Sequence, residues 1–284
     1  MRCSAVAEEL DEAMVGSVDQ RFRWLLVEDR SAWGTDAVKD VLGADFASAA
    51  KRRKVRVLLV RRREGDPAAD AVRRVMLVDT RSREMAIRTV RHPSELTIDA
   101  VAEAPIAEFG APMQDQIFLV CTNGKRDACC ALRGRALMTA LAADHAERTW
   151  ECTHLGGHRF AGNLVCLPDG IVYGRVTAAD GPRLADAYLA GRVEPAQMRG
   201  RSSWPAPAQV AEQALRTNLG LHGVLDVGLH RSTTEGTRAR VTLMAGGRGH
   251  EFELLAERPG PPRGISCRAD DLEQPLHWRI AGTG

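Results

Sequence analysis

A short apolar run, Gln116-Ile117-Phe118-Leu119-Val120, leads straight into Cys121, and the next nine residues end in the pair Cys129-Cys130. The run reads as a buried strand. Ala128 to Ala146 reads as a helix, with Leu132, Leu137 and Leu141 on its buried side. A second strand, Thr149-Trp150-Glu151-Cys152, then delivers His154-Leu155-Gly156-Gly157-His158. Strand, helix and strand in this order form a β-α-β unit, whose two loops emerge at neighbouring strand ends. Four soft or borderline ligands, Cys121, Cys130, His154 and His158, can therefore converge in space.

The residue types around these four suit an inorganic centre. Gly124 and the Gly156-Gly157 pair let backbone approach a bulky group closely. The glycine pair also argues against a regular helix carrying both histidines. Thiolates at a helix N-terminus are favoured as anions, and Lys125 and Arg126 add positive charge beside them. Two thiolates and two imidazoles satisfy either zinc or an iron–sulfur cluster. The distance along the chain from Cys130 to His154 exceeds common zinc-finger spacing. Cys129-Cys130 is not a Cys-x-x-Cys pair, which disfavours dithiol exchange.

The four cysteines outside this loop, of seven in all, divide in two ways. Cys152 and Cys166 lie inside strand patterns and read as small core residues. Cys3 and Cys267 fall in segments expected at the surface and receive no role, so the count is four unassigned or structural thiols. His92, His145, His222, His230, His250 and His277 belong to no visible constellation. No carboxylate pair can be assigned to glycoside hydrolysis.

Composition narrows the class further. A chain of 284 residues suggests about two domains. The net charge of +2 and the 5% aromatic content argue against a dedicated nucleic-acid or membrane-surface protein. The basic runs Lys51-Arg52-Arg53-Lys54 and Arg61-Arg62-Arg63 read as a solvated face. The N-terminal residues turn acidic before an apolar secretory stretch forms, and no apolar run reaches the roughly 18 residues of a membrane helix. The expected location is cytoplasmic. In such a reducing compartment an odd set of seven cysteines points to thiol chemistry or metal ligation rather than a disulfide framework.

The organisation is α/β. Residues 1–112 read as an N-terminal α/β segment: a strand at Arg23–Glu28, a helix from Asp36 to Lys51, and strands at 55–60, 75–79 and 85–90. Residues 113–200 hold the site, with a hairpin across Pro168-Asp169-Gly170 and a helix from Pro182 to Ala190. Residues 201–284 read as a small α+β extension, with a helix from Ala208 to Leu219 that stops at Gly220 and three strands. The first two segments share a β-α-β-β-β order without a visible sequence repeat.

The run from Cys121 to Cys130 and the run Glu151-Cys-Thr-His154-Leu-Gly-Gly-His158-Arg-Phe-Ala-Gly-Asn163 resemble the sucrase/ferredoxin-like family. So do Leu167-Pro-Asp-Gly-Ile-Val-Tyr-Gly-Arg175, Arg23–Glu28 and Trp33-Gly34. The resemblance implies a thioredoxin-like ferredoxin domain holding a 2Fe–2S cluster, with His-x3-His in place of the second cysteine pair. It implies Cys121, Cys130, His154 and His158 as ligands, with Cys129 as the alternative to Cys130. Asn123 departs from the pattern, where relatives often carry histidine, but is not an expected ligand. The family name does not imply sucrase activity.

The expected function is one-electron transfer, as a redox carrier or reductase component served by a redox partner protein, because the chain has no Gly-x-Gly-x-x-Gly fingerprint for a flavin or nicotinamide. Arg159 and Lys125 are candidates for tuning the potential or docking an anionic donor. Two rival readings are a zinc-stabilised binding module and a thioredoxin-fold enzyme with Cys121 as nucleophile. A homo-oligomer is left open.

Overall fold

The central strands are continuous apolar runs with no polar face, such as Trp24-Leu25-Leu26-Val27 and Ile117–Cys121, and so require cover on both sides of the sheet. The computed structural model describes residues 2–62 and 72–283; Arg63 of the second basic run lies outside them. A short helix α1 (Cys3–Glu9) precedes β1 (Arg23–Glu28), α2 (Ala37–Leu42), α3 (Ala44–Arg52), β2 (Val55–Arg61), β3 (Arg73–Asp79) and β4 (Glu84–Val90). The single helix expected from Asp36 to Lys51 is two. Gly43, at φ 88°, breaks it, in a backbone conformation that a side chain would resist. Short helices α4 (Ile98–Glu103) and α5 (Ile106–Phe109) and the two-residue strand β5 (Ala111–Pro112) occupy the proline-punctuated stretch.

The second half repeats the plan of the first. It comprises β6 (Ile117–Cys121), α6 (Ala128–His145), β7 (Thr149–Cys152), β8 (Leu164–Leu167), β9 (Ile171–Tyr173), α7 (Asp180–Leu189) and β10 (Met198–Arg201). In the first half β1 is parallel to β2 and antiparallel to β3, which is antiparallel to β4. In the second, β6 is parallel to β7 and antiparallel to β8, which is antiparallel to β9. The halves join where β2 runs antiparallel to β7, through Val60↔Cys152 and Arg61↔Glu151. The result is one ten-stranded mixed sheet, ordered β10-β9-β8-β6-β7-β2-β1-β3-β4-β5.

That sheet curls upon itself. Trp24 and Leu26 of β1 share a core with Leu119 of β6, Trp150 of β7 and Val165 of β8. The alternate residues face outward, where Leu25 and Val27 pack under α2–α5 and Phe118 and Val120 pack under α6 and α7. A 3.3 Å hydrogen bond from Ser202 to Thr80 and a 3.8 Å ion pair from Arg83 to Asp169 close the curl between parts of the sheet that are far apart in strand order. Helices outside and two facing halves of the sheet inside give four layers.

Leu137 and Leu141 are buried as expected, but Leu132 is 55% exposed. Five residues separate it from Leu137, or about 140° around a helix at 100° per residue, so it falls off the buried stripe. The second basic run is also not simply solvated. Arg61 pairs with Glu151 at 3.1 Å and stacks 4.0 Å over Trp33, while Arg62 lies over Trp150. No helix among the described residues is long and apolar enough to cross a membrane.

The C-terminal part adds α8 (Ala206–Leu219), β11 (Val227–Glu235), β12 (Arg238–Ala245), β13 (Arg248–Glu257) and β14 (His277–Thr283). The strands form a four-stranded antiparallel sheet in sequence order, whose inner face takes Ala208, Ala211 and Leu215 of α8. β14 was not anticipated from the sequence, since it returns to β13 only after a proline-rich excursion.

Glu12 ties this tail to the rest. It is buried, and Arg159 reaches it at 2.7 Å, Arg263 at 3.1 Å and His277 at 3.4 Å. Burial alone would raise its pKa, but His277, Arg263 and Arg159 outweigh it and hold the carboxyl at about 2. His277, which carried no visible role in the sequence, thus has one here, and Arg159 is committed to Glu12 rather than free for docking. Because the folded-state pKa is depressed, the contribution of Glu12 is full above its ordinary 4.5 and disappears as pH falls through about 2. Glu12→Gln should cost about 3 kcal/mol at pH 7. In urea unfolding, the stability gap between wild type and variant should narrow between pH 4.5 and 2; a gap that stays constant with pH would contradict this account.

Candidate metal centre

Cys121 is the last residue of β6, and its pairing partner on β7 is Cys152. Residues 122–127 then turn sharply, with the backbone N–H groups of Arg126 and Asp127 both donating to the Asn123 carbonyl. Asp127 caps α6, its carboxylate accepting from the Cys129 backbone at 2.9 Å. Cys130 thereby lies in the first turn of α6. Gly134, one turn further on, lets the helix pack directly against the strand end, because a β-carbon there would run into the Cys121 carbonyl oxygen.

The histidine loop leaves β7 at Cys152 and is held from behind. Gly157 has φ 68°, and a side chain at this position would meet the Arg199 guanidinium. Arg199 is buried and donates to the Gly156 carbonyl at 3.2 Å and to Asn163 Oδ1 at 2.6 Å. Asn163 in turn donates to the Gly157 carbonyl at 3.1 Å. Burial, then the charges of Arg159 and Arg56, bring Arg199 down to about 9. A guanidinium at that value is still charged at neutral pH, and it stands behind the thiols.

The four residues singled out in the sequence are brought together. The Cys130 sulfur is 3.5 Å from His158 Nδ1. The rings of His154 and His158 stack with centroids 4.0 Å apart. The Cys121 thiol receives hydrogen bonds from Cys130, His154 and the Leu155 backbone, which hold it well below the usual thiol range despite burial. Donating to Cys121, together with burial, pushes the Cys130 thiol up. The pair thus ionises once readily and a second time only against the first charge, a burden that a bound cation relieves. Burial and then His154 draw His158 down to about 3, against the opposing pull of Asp127. A neutral imidazole is the ligand form. Two buried thiols, the buried His158 and the half-buried His154 fit either a 2Fe–2S group or zinc by donor type.

Cys129 turns elsewhere. Its sulfur lies 3.7 Å from that of Cys3 and 3.3 Å from that of Cys267. The surface positions expected for Cys3 and Cys267 are therefore corrected: Cys3 is 3% exposed and Cys267 is half-buried. Local pattern does not reveal such burial, because the cover comes from segments more than 120 residues away. Cys152 and Cys166 are buried in the core as small residues. Asp127 was missed in the sequence, although an aspartate just before a helical stretch is an N-cap signal. Arg199 carries no local signal at all.

Gly134→Ala tests how closely α6 must approach Cys121. The substitution forces backbone apart at the point where the two thiols meet. It should destabilise the fold by about 1–3 kcal/mol in chemical denaturation, and alter metal retention measured after gel filtration. Unchanged stability and retention would show that the close approach is dispensable.

A family model described as Sucrase/ferredoxin-like matches residues 14–200. Among curated proteins, Altered inheritance of mitochondria protein 32 of Eremothecium gossypii is 32% identical over 118 residues, covering 36% of this chain and 37% of that protein. The protein of the same name from Meyerozyma guilliermondii is 33% identical over 85 residues, covering 26% and 30%. That of Candida glabrata is 26% identical over 121 residues, covering 41% and 36%. The chain spans roughly a third of the length of these relatives. No solved structure matches it. The family match runs through both halves of the curled sheet and includes all four residues of the candidate centre, and the chain belongs to the sucrase/ferredoxin-like family.

Proposed function

We propose that this protein carries out one-electron transfer through a 2Fe–2S cluster held by Cys121, Cys130, His154 and His158. The observation that carries the reading is the meeting of two buried thiols and two imidazoles from separate loops at one strand end, with Cys130 3.5 Å from His158 and the histidine rings 4.0 Å apart. A cluster of this ligand set supplies a site that accepts and returns one electron at a higher potential than an all-cysteine cluster, because neutral imidazoles replace two thiolates.

The chain's own residues set the conditions for that chemistry. Gly134 lets α6 close on Cys121, and Arg199 with Asn163 fixes the histidine loop. The charged Arg199 guanidinium favours the added negative charge of a reduced centre. The strand order β9-β8-β6-β7, with α6 between the parallel pair, supports a thioredoxin-like ferredoxin arrangement for this half. At 2% exposure Cys121 is poorly placed to act as a nucleophile on a substrate, which weighs against the enzyme reading.

An open cleft of about 700 Å³ adjoins the 122–125 loop and is lined by Arg2, Arg61, Lys125 and Arg135. Its charge suits a redox partner protein with an acidic face. Seven free thiols suit a reducing compartment, and the cytoplasm remains the location we propose.

Visible absorption and EPR of anaerobically purified protein test the reading. It requires a coloured protein with an EPR signal after reduction, and a midpoint potential that falls as pH rises, since imidazole binds a proton more tightly beside a reduced centre. His154→Cys and His158→Cys should change the spectrum and weaken that pH dependence. A colourless protein with zinc on these four residues would replace the redox reading by the zinc-stabilised one.

A further inference from the structure

Three thiols and one carboxylate meet at a second place, on the opposite side of the α6 N-terminus. Cys3 comes from α1, Cys129 from the start of α6, and Cys267 from the irregular segment between β13 and β14. Their sulfurs are mutually 3.7, 3.6 and 3.3 Å apart. Asp127 brings its two carboxylate oxygens to 3.9 and 3.8 Å from the Cys3 sulfur. One donor atom from each of the four lies within 4.8 Å of every other.

These spacings lie within about 0.5 Å of those in a tetrahedral zinc shell. Zinc at about 2.3 Å from sulfur and about 2.0 Å from oxygen separates neighbouring sulfurs by about 3.8 Å and a sulfur from an oxygen by about 3.5 Å. A disulfide would join only two of the three sulfurs. The buried Asp127 carboxylate is also hard to explain by apolar packing of small residues, because it is 0% exposed and turned toward the thiols. Backbone N–H groups of Cys129 and Cys267 orient it, the latter at 2.8 Å. Ser4 donates to the Cys129 sulfur at 3.3 Å, a bond that favours the thiolate.

We propose that Cys3, Cys129 and Cys267, with Asp127 as fourth donor, form a zinc site distinct from the Cys121, Cys130, His154 and His158 centre. Soft thiolates in a tetrahedral, fully protein-supplied set select zinc as a structural ion. Cys3 and Cys267 both lie outside the residues matched by the family model, so the site is built by the two ends of this chain around a loop of the family core. The ion staples α1 and the C-terminal segment to the helix start that presents Cys130. Asp127 serves both places, since its Oδ2 is 3.9 Å from His158 Nδ1. Zinc binding displaces the protons of the three thiols and changes no oxidation state.

Metal counting on the full-length protein, purified anaerobically without chelator, tests this directly. The expected result is about one zinc per chain where iron occupies the Cys121, Cys130, His154 and His158 centre and about two where zinc does, so the outcome does not depend on the redox reading. Cys3→Ser and Cys267→Ser should each lower the zinc of this site about tenfold while leaving iron content and visible spectrum unchanged. X-ray absorption at the zinc edge of the wild type, which needs no variant to fold, should show three sulfurs at about 2.3 Å and a single oxygen. Zinc-free protein would overturn the proposal. So would a Cys129–Cys267 disulfide found by mass spectrometry, a two-sulfur, two-nitrogen shell, or zinc that survives both serine variants and is lost from His158→Cys.

Discussion

The buried carboxylate of Asp127 organises the chemistry of this protein. A carboxylate removed from water needs hydrogen bonds to compensate, and the backbone of Cys129 and Cys267 provides them. By capping α6, Asp127 fixes where the helix begins and hence the direction in which each of its first side chains points. Consecutive residues on a helix diverge by about 100°. Cys130 consequently faces Cys121 and His158, while Cys129 faces Cys3 and Cys267. One cap thus assigns two adjacent thiols to two different clusters.

The rest of the fold explains why the cap sits where it does. Both halves of the sheet follow the same order of strands, yet only in the second do the loops after the parallel strand pair carry thiols and imidazoles. The equivalent first-half loop, after β1, contains Trp33, whose indole nitrogen donates to Asp29 at 3.1 Å and whose face is covered by Arg61. Joining the halves through β2 and β7 puts the two loops side by side. Asn123 donates to the Gly34 carbonyl at 3.2 Å, and Thr35 donates to the Lys125 carbonyl at 3.4 Å. The first half therefore acts as a buttress for the loop that carries Cys121.

Much of this was legible in the sequence because the signals are local. Short apolar runs marked β1, β6 and β7, and the glycine and aspartate positions marked the turns between them. The four candidate donors stood out because strand ends and loop lengths in a β-α-β unit restrict where they can go. Leu132 and the helix broken at Gly43 were misread where a coarse apolar pattern overrode residue-by-residue geometry. Arg199, Glu12 and β14 were invisible for a different reason. Each depends on partners from distant parts of the chain, and nothing beside it in the sequence records them.

The sequence alone determined that an α/β unit would carry two cysteines and two histidines to neighbouring strand ends, because strand and helix periods dictate which residues face the same way. Only the tertiary structure decided that the sheet curls into facing halves, and that Cys3 and Cys267 are drawn inward to Cys129. The reason is that burial is a property of what packs against a residue. A cysteine near a chain end reads as exposed until the opposite end of the chain covers it.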